Sequence, residues 1–380
     1  MSYNERRTVL SFRFLAAALL ACAALAARAE LVIAQVGPLS GPLAINGMAN
    51  FLGAKACFDQ VNAEGGIHGQ QIRFVGADDE YKAEQTIRQL ETVAQRDRPL
   101  MFVNLLGSAN VTALMKAQTL DRLKVPVVGV TPGADSLREP GSPWLFHVHA
   151  SDNAQVLRIL NHLATLGIRR IAVAYQDIPF GQTGMKFIDA EAPGLQLAIT
   201  GRVPVPSAAD DLKPAAAQLK ASGAQAYVMI LVPNSGASLA RDVRGTGDST
   251  PLYGLSYVPV GAIVEKAGAD AAVGIALAQV TPNPSSRTTG LTRQFHAAMD
   301  KYAPKDTPHS QLHLVGYLSA RVAVEALRRA GPNPTPEKMA ATLRQLRVEL
   351  GGYTVDFAGG NVGSQFVDIG VIDRSHRLMY

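Results

Sequence analysis

The stretch that decides the fold is residues 31–81, LVIAQVGPLSGPLAINGMANFLGAKACFDQVNAEGGIHGQQIRFVGADDEY. Its apolar start at 31–36 predicts a strand that is buried on both faces. Apolar or small residues then recur at helical spacing over 48–61. A group of glycines at 65–69 is typical of a helix end, because glycine readily adopts the left-handed conformation. A second strand is expected at 72–76.

Strand, crossover helix and strand in this order form one right-handed parallel unit. Ligands of such units bind beyond the carboxyl ends of the strands. The loop at 37–42, rich in glycine and proline, is therefore the first candidate binding segment. Ser40 lies in this loop as a candidate ligand-binding residue, and stabilisation of the turn is an equally good interpretation of its hydroxyl.

The rest of the chain continues this α/β pattern. Helices alternate with apolar strands over 82–255, which is typical of parallel sheets with helices on both faces, and 288–346 is mostly helical. A chain of this length is expected to divide into two lobes, each with its own core.

Four parts of the opening stretch resemble the start of the periplasmic substrate-binding proteins of branched-chain amino acid ABC transporters. They are the GPLSG loop, the helix that contains Gly53 and Ala54, the VNAEGGIHG turn and the DDEY that follows the second strand. The resemblance covers essentially the whole chain after its N-terminal segment. It implies the type I periplasmic-binding-protein architecture, an α/β fold of two Rossmann-like lobes joined by three crossover segments.

The resemblance also implies where the lobes divide. Lobe 1 is expected to comprise 30–150 plus 281–352, and lobe 2 to comprise 151–280 plus 353–380. The crossings would fall near 150–151, 280–281 and 353–357.

Residues 1–29 have the pattern of a secretory signal peptide. A start with several arginines precedes an apolar run that is too short for a comfortable membrane span, and Ala27-Arg28-Ala29 offers small residues for cleavage after Ala29. Lipid attachment at Cys22 is the alternative interpretation. Either predicts a periplasmic protein.

Charge and cysteine content exclude some classes of function. Residues 1–29 contain four arginines and one glutamate, so the remainder has 32 basic and 30 acidic residues. This near balance gives no support for binding to nucleic acid. Cys57 is the one cysteine after residue 29, which rules out an intramolecular disulfide, and its apolar neighbours predict a buried side chain.

Two loops of lobe 1 follow predicted strands at their carboxyl ends. One contains Gly107 and Ser108, and the other, at 131–136, contains Ala134, Asp135 and Ser136. Ser108 could cap the next helix, and Asp135 could cap a turn. The resemblance implies that these loops hold the carboxylate of the ligand through hydroxyls and backbone amides.

Further candidate ligand-binding residues come from the resemblance by position. They are Asn46, Asp152, Phe180, Val232, Ser256 and Tyr257. For Asp152, a helix cap is an equally plausible role. Phe180 keeps the ring of the usual tyrosine without its hydroxyl, and Asn46 and Val232 stand where aromatic residues are common.

Ser256 stands where the family usually supplies the carboxylate that pairs with the ammonium group of the ligand. Since an unpaired buried charge is costly, only Asp135 and Asp152 remain as expected partners. The sequence therefore predicts that leucine, isoleucine and valine are not the best ligands, and that a polar-tailed or non-amino carboxylate or amide binds better. The alternative is that Asp152 or a water molecule satisfies the ammonium.

Motifs of enzymes are absent from the sequence. It contains no G-x-G-x-x-G after the first strand, no phosphate-binding P-loop and no G-x-S-x-G elbow. Two histidine pairs, His147 with His149 and His309 with His313, share a face and could in principle bind zinc, but we interpret them as surface histidines without a metal.

The sequence as a whole predicts a non-enzymatic, extracytoplasmic solute-binding protein of an ABC importer. We expect a monomer that needs no cofactor, binds a small amino acid, amide or carboxylate between its lobes, and delivers it to the permease subunits in the membrane. The alternative from another class is a sensor module of the same fold that acts on a receptor or regulator.

Overall fold

The computed structural model describes residues 30–41, 43–131, 133–206 and 209–380. The predicted signal peptide and the alternative lipid site at Cys22 lie outside these residues. Among the described residues, none of the helices has the length and apolar character needed to cross a membrane.

The strands form two large sheets and a small one. In chain order they are β1 (Leu31–Gly37), β2 (Ile72–Asp78), β3 (Met101–Val103), β4 (Val127–Val128), β5 (Leu145–Phe146), β6 (Arg170–Gln176), β7 (Ala198–Val205), β8 (Ala226–Ile230), β9 (Leu252–Gly254), β10 (Ala276–Gln279), β11 (Arg347–Glu349), β12 (Thr354–Asp356), β13 (Asp368–Ile372) and β14 (Leu378–Met379).

The α-helices cover these sheets. In chain order they are α1 (Ala44–Ala63), α2 (Ala83–Asp97), α3 (Ser108–Lys116), α4 (Thr119–Leu123), α5 (Asp152–Thr165), α6 (Pro179–Glu191), α7 (Lys213–Ala221), α8 (Pro233–Gly245), α9 (Val260–Ala267), α10 (Ala269–Ala272), α11 (Gly290–Tyr302), α12 (Gln311–Ala330) and α13 (Pro336–Arg344).

The first sheet has the order β2-β1-β3-β4-β5, and all its pairings are parallel. Its central strand β1 is apolar on both faces because helices cover both. Ile33 packs into the core on the side of α1 and α12, and Ala34 packs on the side of α2 and α3.

The second sheet has the order β14-β13-β10-β9-β8-β6-β7. Its strands from the middle of the chain are parallel, and β13 joins antiparallel to β10. Two buried cores lie on its two faces, one around Met229 and Leu239 and the other around Ile159 and Val228. The predicted α/β fold with two lobes is thus confirmed.

The end of the chain stays with the first lobe longer than the sequence predicts. β11 and β12 form a small antiparallel sheet, and Val355 and Phe357 are buried in the core of the first lobe. Gly363 N donates to His147 O at 2.8 Å. We therefore propose that the third crossing lies after Gly363 and before β13, whereas the first two boundaries stay predictions.

Two stretches have secondary structure that the sequence pattern did not predict. Residues 260–279 form α9, α10 and β10, but their many alanines and valines show neither a clear helical nor a clear strand period. Residues 108–123, where the sequence pattern predicts one helix over 109–123, form the two short helices α3 and α4, because Gln118 between them adopts a left-handed conformation with φ of 52°.

The crossing segments meet around Tyr353. Its hydroxyl oxygen lies 3.0 Å from Val148 O and 3.1 Å from Val280 O, so it bridges the first two crossings. Nearby, Arg138 Nη1 donates to His149 O at 2.9 Å. These buried polar contacts fix the hinge region, next to which the candidate site lies.

Candidate ligand-binding site

A cavity of about 60 Å³ lies between the two lobes. Its lining residues all follow the carboxyl ends of parallel strands, where the sequence predicted the binding site. They are Leu43, Asn46, Tyr81, Leu106, Gly107, Ser108 and Thr131 from the first lobe, and Asp152, Ile178, Phe180, Val232, Pro233 and Tyr257 from the second.

The structure brings seven of the predicted site residues together at this cavity. They are Asn46, Gly107, Ser108, Asp152, Phe180, Val232 and Tyr257. The sequence analysis missed the other lining residues. Tyr81 and Thr131 would have been the easiest of these to predict, because Tyr81 belongs to the DDEY segment and Thr131 to the loop at 131–136.

The other five predicted residues do not line the cavity. The Ser40 hydroxyl donates to Asp78 Oδ2 at 2.6 Å, which is the turn-stabilising role. Ala134, Asp135 and Ser136 lie in the loop beyond Thr131. Ser256 lines a separate, larger cavity of about 680 Å³ beside α1 and α9.

The first-lobe wall contains the start of α3. The cap position is Gly107 rather than Ser108, and φ of 98° at Gly107 favours glycine. A Cβ there would lie 2.6 Å from the Tyr81 ring. The first amides of α3 have no acceptor within the helix, and the Ser108 hydroxyl has no hydrogen-bond partner among the described residues. This end of the cavity is suited to a carboxylate.

Thr131 adds a hydroxyl to the same wall. Its Oγ1 accepts a hydrogen bond from Asn50 Nδ2 at 3.1 Å, so its own proton is free to point toward a ligand. Asn46 is also buried here, with 3 % of its surface exposed, and its Oδ1 has no partner. A donor on the ligand would satisfy this oxygen.

Asp152 is the acidic residue of the cavity lining. It is the first residue of α5, and Ser151 serves as the cap by accepting from Ala154 N at 3.1 Å. Asp152 is therefore not the cap of α5, which was the alternative role predicted for it, and its carboxylate is not used for capping. Its Oδ1 lies 2.5 Å from Tyr257 Oη.

Gly133 holds this pair against the first lobe. Its N–H donates to Tyr257 Oη at 3.1 Å, and its carbonyl accepts from Asp152 N at 2.8 Å. A Cβ on Gly133 would lie 2.1 Å from Asp152 Oδ1, so the close approach requires glycine here. Gly133 was missed because its contribution is made by the backbone.

The electrostatics of the cavity centre on Asp152. Burial raises the pKa of Asp152 to about 6, although the hydrogen bond from Tyr257 and the charge of Arg138 act in the opposite direction and Asp135 adds to the increase. Burial also raises the pKa of Tyr257 well above its usual value, so Tyr257 stays neutral and donates. Arg138 is buried, and no pattern in the sequence indicated its place beside the cavity.

The remaining walls are apolar or aromatic. Phe180 and Tyr257 meet edge to face with ring centroids 5.5 Å apart. Val232 and Ile178 complete the second-lobe side, and α3 lies against α6 across the cleft. The cavity thus combines an anion-binding end, one buried carboxylate and an apolar surround.

The interpretation of the paired histidines as surface residues was wrong for three of them. His147, His149 and His313 are buried. Burial lowers the pKa of His149 and of His313 to about 4, and it lowers the pKa of His147 well below its usual range. These three are neutral core histidines. The prediction for Cys57 is confirmed, because its side chain is buried and unpaired.

Both the sequence and the fold are similar to those of known proteins. Residues 30–368 match the sequence model of a family described as periplasmic binding protein. The chain belongs to the periplasmic binding protein family. Among curated relatives, this periplasmic binding protein is 27% identical over 337 residues to the Leu/Ile/Val-binding protein homolog 7 of Brucella abortus (strain 2308), which covers 83% of this chain and 81% of the relative.

Solved structures of similar proteins share the fold. An extracellular ligand-binding receptor from Verminephrobacter eiseniae ef01-2 aligns with a TM-score of 0.88 and 35% identity over 93% of this chain and 100% of that one. A branched-chain amino acid ABC transporter protein from Thermus thermophilus with bound valine aligns with a TM-score of 0.82. At 20% identity over 93% of this periplasmic binding protein and 95% of that chain, the second comparison shows the fold alone.

Proposed function

We propose that this protein is the extracytoplasmic solute-binding component of an ABC importer, and that its ligand is a small neutral α-amino acid. One observation carries the proposal. A buried carboxylate from the second lobe, Asp152, lines the same cavity as the free hydroxyl of Ser108 and the uncapped start of α3 from the first.

These two ends have opposite preferences for charge. The start of a helix favours an anion because its amides and its dipole point toward the ligand. A buried carboxylate favours a cation, which would offset the cost of its own desolvation. A zwitterion with a carboxylate and an ammonium on one carbon satisfies both ends, and the apolar walls suit an uncharged side chain.

The position of Ser256 removes the reason for expecting a ligand other than leucine, isoleucine or valine. Since Ser256 lines the other cavity, its lack of a carboxylate does not argue against an ammonium group in this one. Asp152 supplies the negative charge, and the unpaired Asn46 Oδ1 supplies a further acceptor. The Brucella abortus relative is named as a Leu/Ile/Val-binding protein homolog, which supports the same class of ligand.

Calorimetry with matched ligands tests this proposal. Alanine, valine and leucine should be compared with 3-methylbutanoate, which lacks the ammonium of valine, and with valinamide, which lacks the carboxylate. We expect at least one amino acid to bind more than tenfold more tightly than both analogues of valine. Equal or tighter binding of the des-amino acid or of the amide would contradict the proposal.

Delivery to a permease has its own test. Protein secreted from cells should begin at Glu30 by mass spectrometry, as expected for cleavage after Ala29. Cross-linking of the loaded protein in the periplasm should capture ABC permease subunits. Capture of a receptor such as a histidine kinase, in place of permease subunits, would favour the sensor alternative, and an intact Met1 would contradict secretion.

A further inference from the structure

We propose that His296, Asp300 and His309 form a binding site for a divalent transition-metal ion of the Zn²⁺ class, outside the amino-acid cavity. Each residue offers one ligand atom, and these atoms all lie within 4.8 Å of one another. None of the three lines the amino-acid cavity.

The fold brings the three residues together from two segments. His296 and Asp300 are four residues apart in α11, so they share one face of that helix. His309 comes from the proline-rich connection between α11 and α12. Its Nε2 lies 2.9 Å from Asp300 Oδ1, and the centroids of the two histidine rings are 4.2 Å apart.

His296 has one ring nitrogen that is engaged and one that has no partner. Its Nε2 lies 2.7 Å from Pro284 O, and since a carbonyl can only accept, Nε2 carries the proton. Nδ1 then holds a lone pair, and this buried atom has no hydrogen-bond partner. Histidine ligands of metals typically donate their other ring N–H to a backbone carbonyl in this way. His296 is only 6 % exposed, so bulk water does not readily satisfy Nδ1.

Asp300 is held by an outer partner of its own. Arg287 Nη2 lies 3.1 Å from Asp300 Oδ2, which leaves Oδ1 on the side of His309. This exposed ion pair adds little stability, but it orients the carboxylate. Metal binding would replace the hydrogen bond between His309 and Asp300 by two metal–ligand bonds.

Two imidazoles and one carboxylate suit Zn²⁺ and neighbouring late transition metals, with a further position open to water. His313, which the sequence analysis paired with His309, is not part of this cluster. Its Nδ1 lies 2.7 Å from Ser310 Oγ, so it is engaged within its own segment.

The test is titration of purified protein without a polyhistidine tag with ZnCl₂ by calorimetry, and with CoCl₂ followed by visible absorption. We expect one ion per chain and the absorption of Co²⁺ with nitrogen and oxygen ligands. Each of His296→Ala, Asp300→Asn and His309→Ala should weaken binding by at least about 10–100-fold, the range observed even for loss of an outer partner.

His376→Ala is the matched control and should bind the metal as the wild type does. Asp300 is exposed, so Asp300→Asn keeps the test valid even if His296→Ala impairs folding. Absence of Zn²⁺ binding by the wild type at micromolar concentration, or unchanged affinity in Asp300→Asn, would overturn the proposal. Amino-acid binding is measured separately on the same samples, so failure of the metal site and failure of the proposed function are distinguishable.

Discussion

Tyr257 Oη and Asp152 Oδ1 lie 2.5 Å apart, and the same hydroxyl oxygen accepts a hydrogen bond from Gly133 N. This arrangement joins a side-chain pair of the second lobe to the backbone of the first. Because this arrangement spans the two lobes, we expect a ligand that contacts both Asp152 and the first lobe to favour the closed state. Ligand recognition and closure therefore depend on the same few atoms.

Asp152→Asn should abolish the preference for amino acids. The amide keeps a similar shape and can still accept from Tyr257, but it cannot neutralise an ammonium, so affinity should fall by about 2–5 kcal/mol. The free energy of unfolding at pH 7.5 should rise, because the folded-state pKa of Asp152 is raised by burial and the ionised form is therefore destabilised. Calorimetry and urea unfolding measure these two effects. Asp270→Asn is the control, since Asp270 is exposed and does not line the cavity.

Ser108→Ala should weaken amino-acid binding by about 1–3 kcal/mol, because the ligand carboxylate loses one hydrogen-bond donor in a buried site. Ser136→Ala provides a matched control, since Ser136 is exposed and outside the cavity. If calorimetry gives equal affinities for the two variants, Ser108 does not bind the ligand.

Gly133→Ala should disturb the contact between the lobes. The added methyl group would lie 2.1 Å from Asp152 Oδ1 and 2.6 Å from Asp152 N, so either the loop or α5 must move. We expect ligand affinity to fall at least tenfold and the melting temperature to drop. Gly194→Ala is the control, because a Cβ there meets open space. Wild-type affinity in Gly133→Ala would show that the close approach to Asp152 is not required.

Much of the fold could be predicted because its strands are short apolar runs that end in turns, as at β1 and β6. Seven of the twelve candidate residues reach the cavity for a related reason, since they follow the ends of such strands. What could not be predicted depends on distant contacts. Ser256 and Tyr257 are neighbours in sequence, yet they line different cavities.

The contributions of the backbone could not be predicted from the sequence either. Gly133 acts through its N–H and its lack of a side chain, and a glycine in a sequence does not by itself indicate such a role. Val355 and Phe357 have the alternating pattern of a strand in either lobe, and only their packing against the first core assigns them to it, which is why we propose a later third crossing than the sequence predicts. His296 and His309 come together only through the path of the connection between α11 and α12.

Tyr353→Phe should loosen the hinge region. The lost hydroxyl leaves Val148 O and Val280 O without this donor in a buried environment. The expected loss in the free energy of unfolding is roughly 1–3 kcal/mol, measured by urea unfolding with an unchanged slope. Tyr380→Phe is the control, because Tyr380 is 42 % exposed. A midpoint equal to that of the wild type would mean that the hydroxyl does not stabilise the crossings.

The most direct test of the account is the pH dependence of amino-acid affinity between pH 7.5 and pH 5. The pKa of Asp152 in the free protein is about 6, and an ammonium beside it would lower that pKa. Ligand binding therefore releases a proton, and affinity should fall as the pH falls, by about tenfold at pH 5. Asp152→Asn should remove this dependence. Affinity that stays constant or rises as the pH falls would contradict the pairing of Asp152 with an ammonium group, and with it the proposal that the ligand is an amino acid.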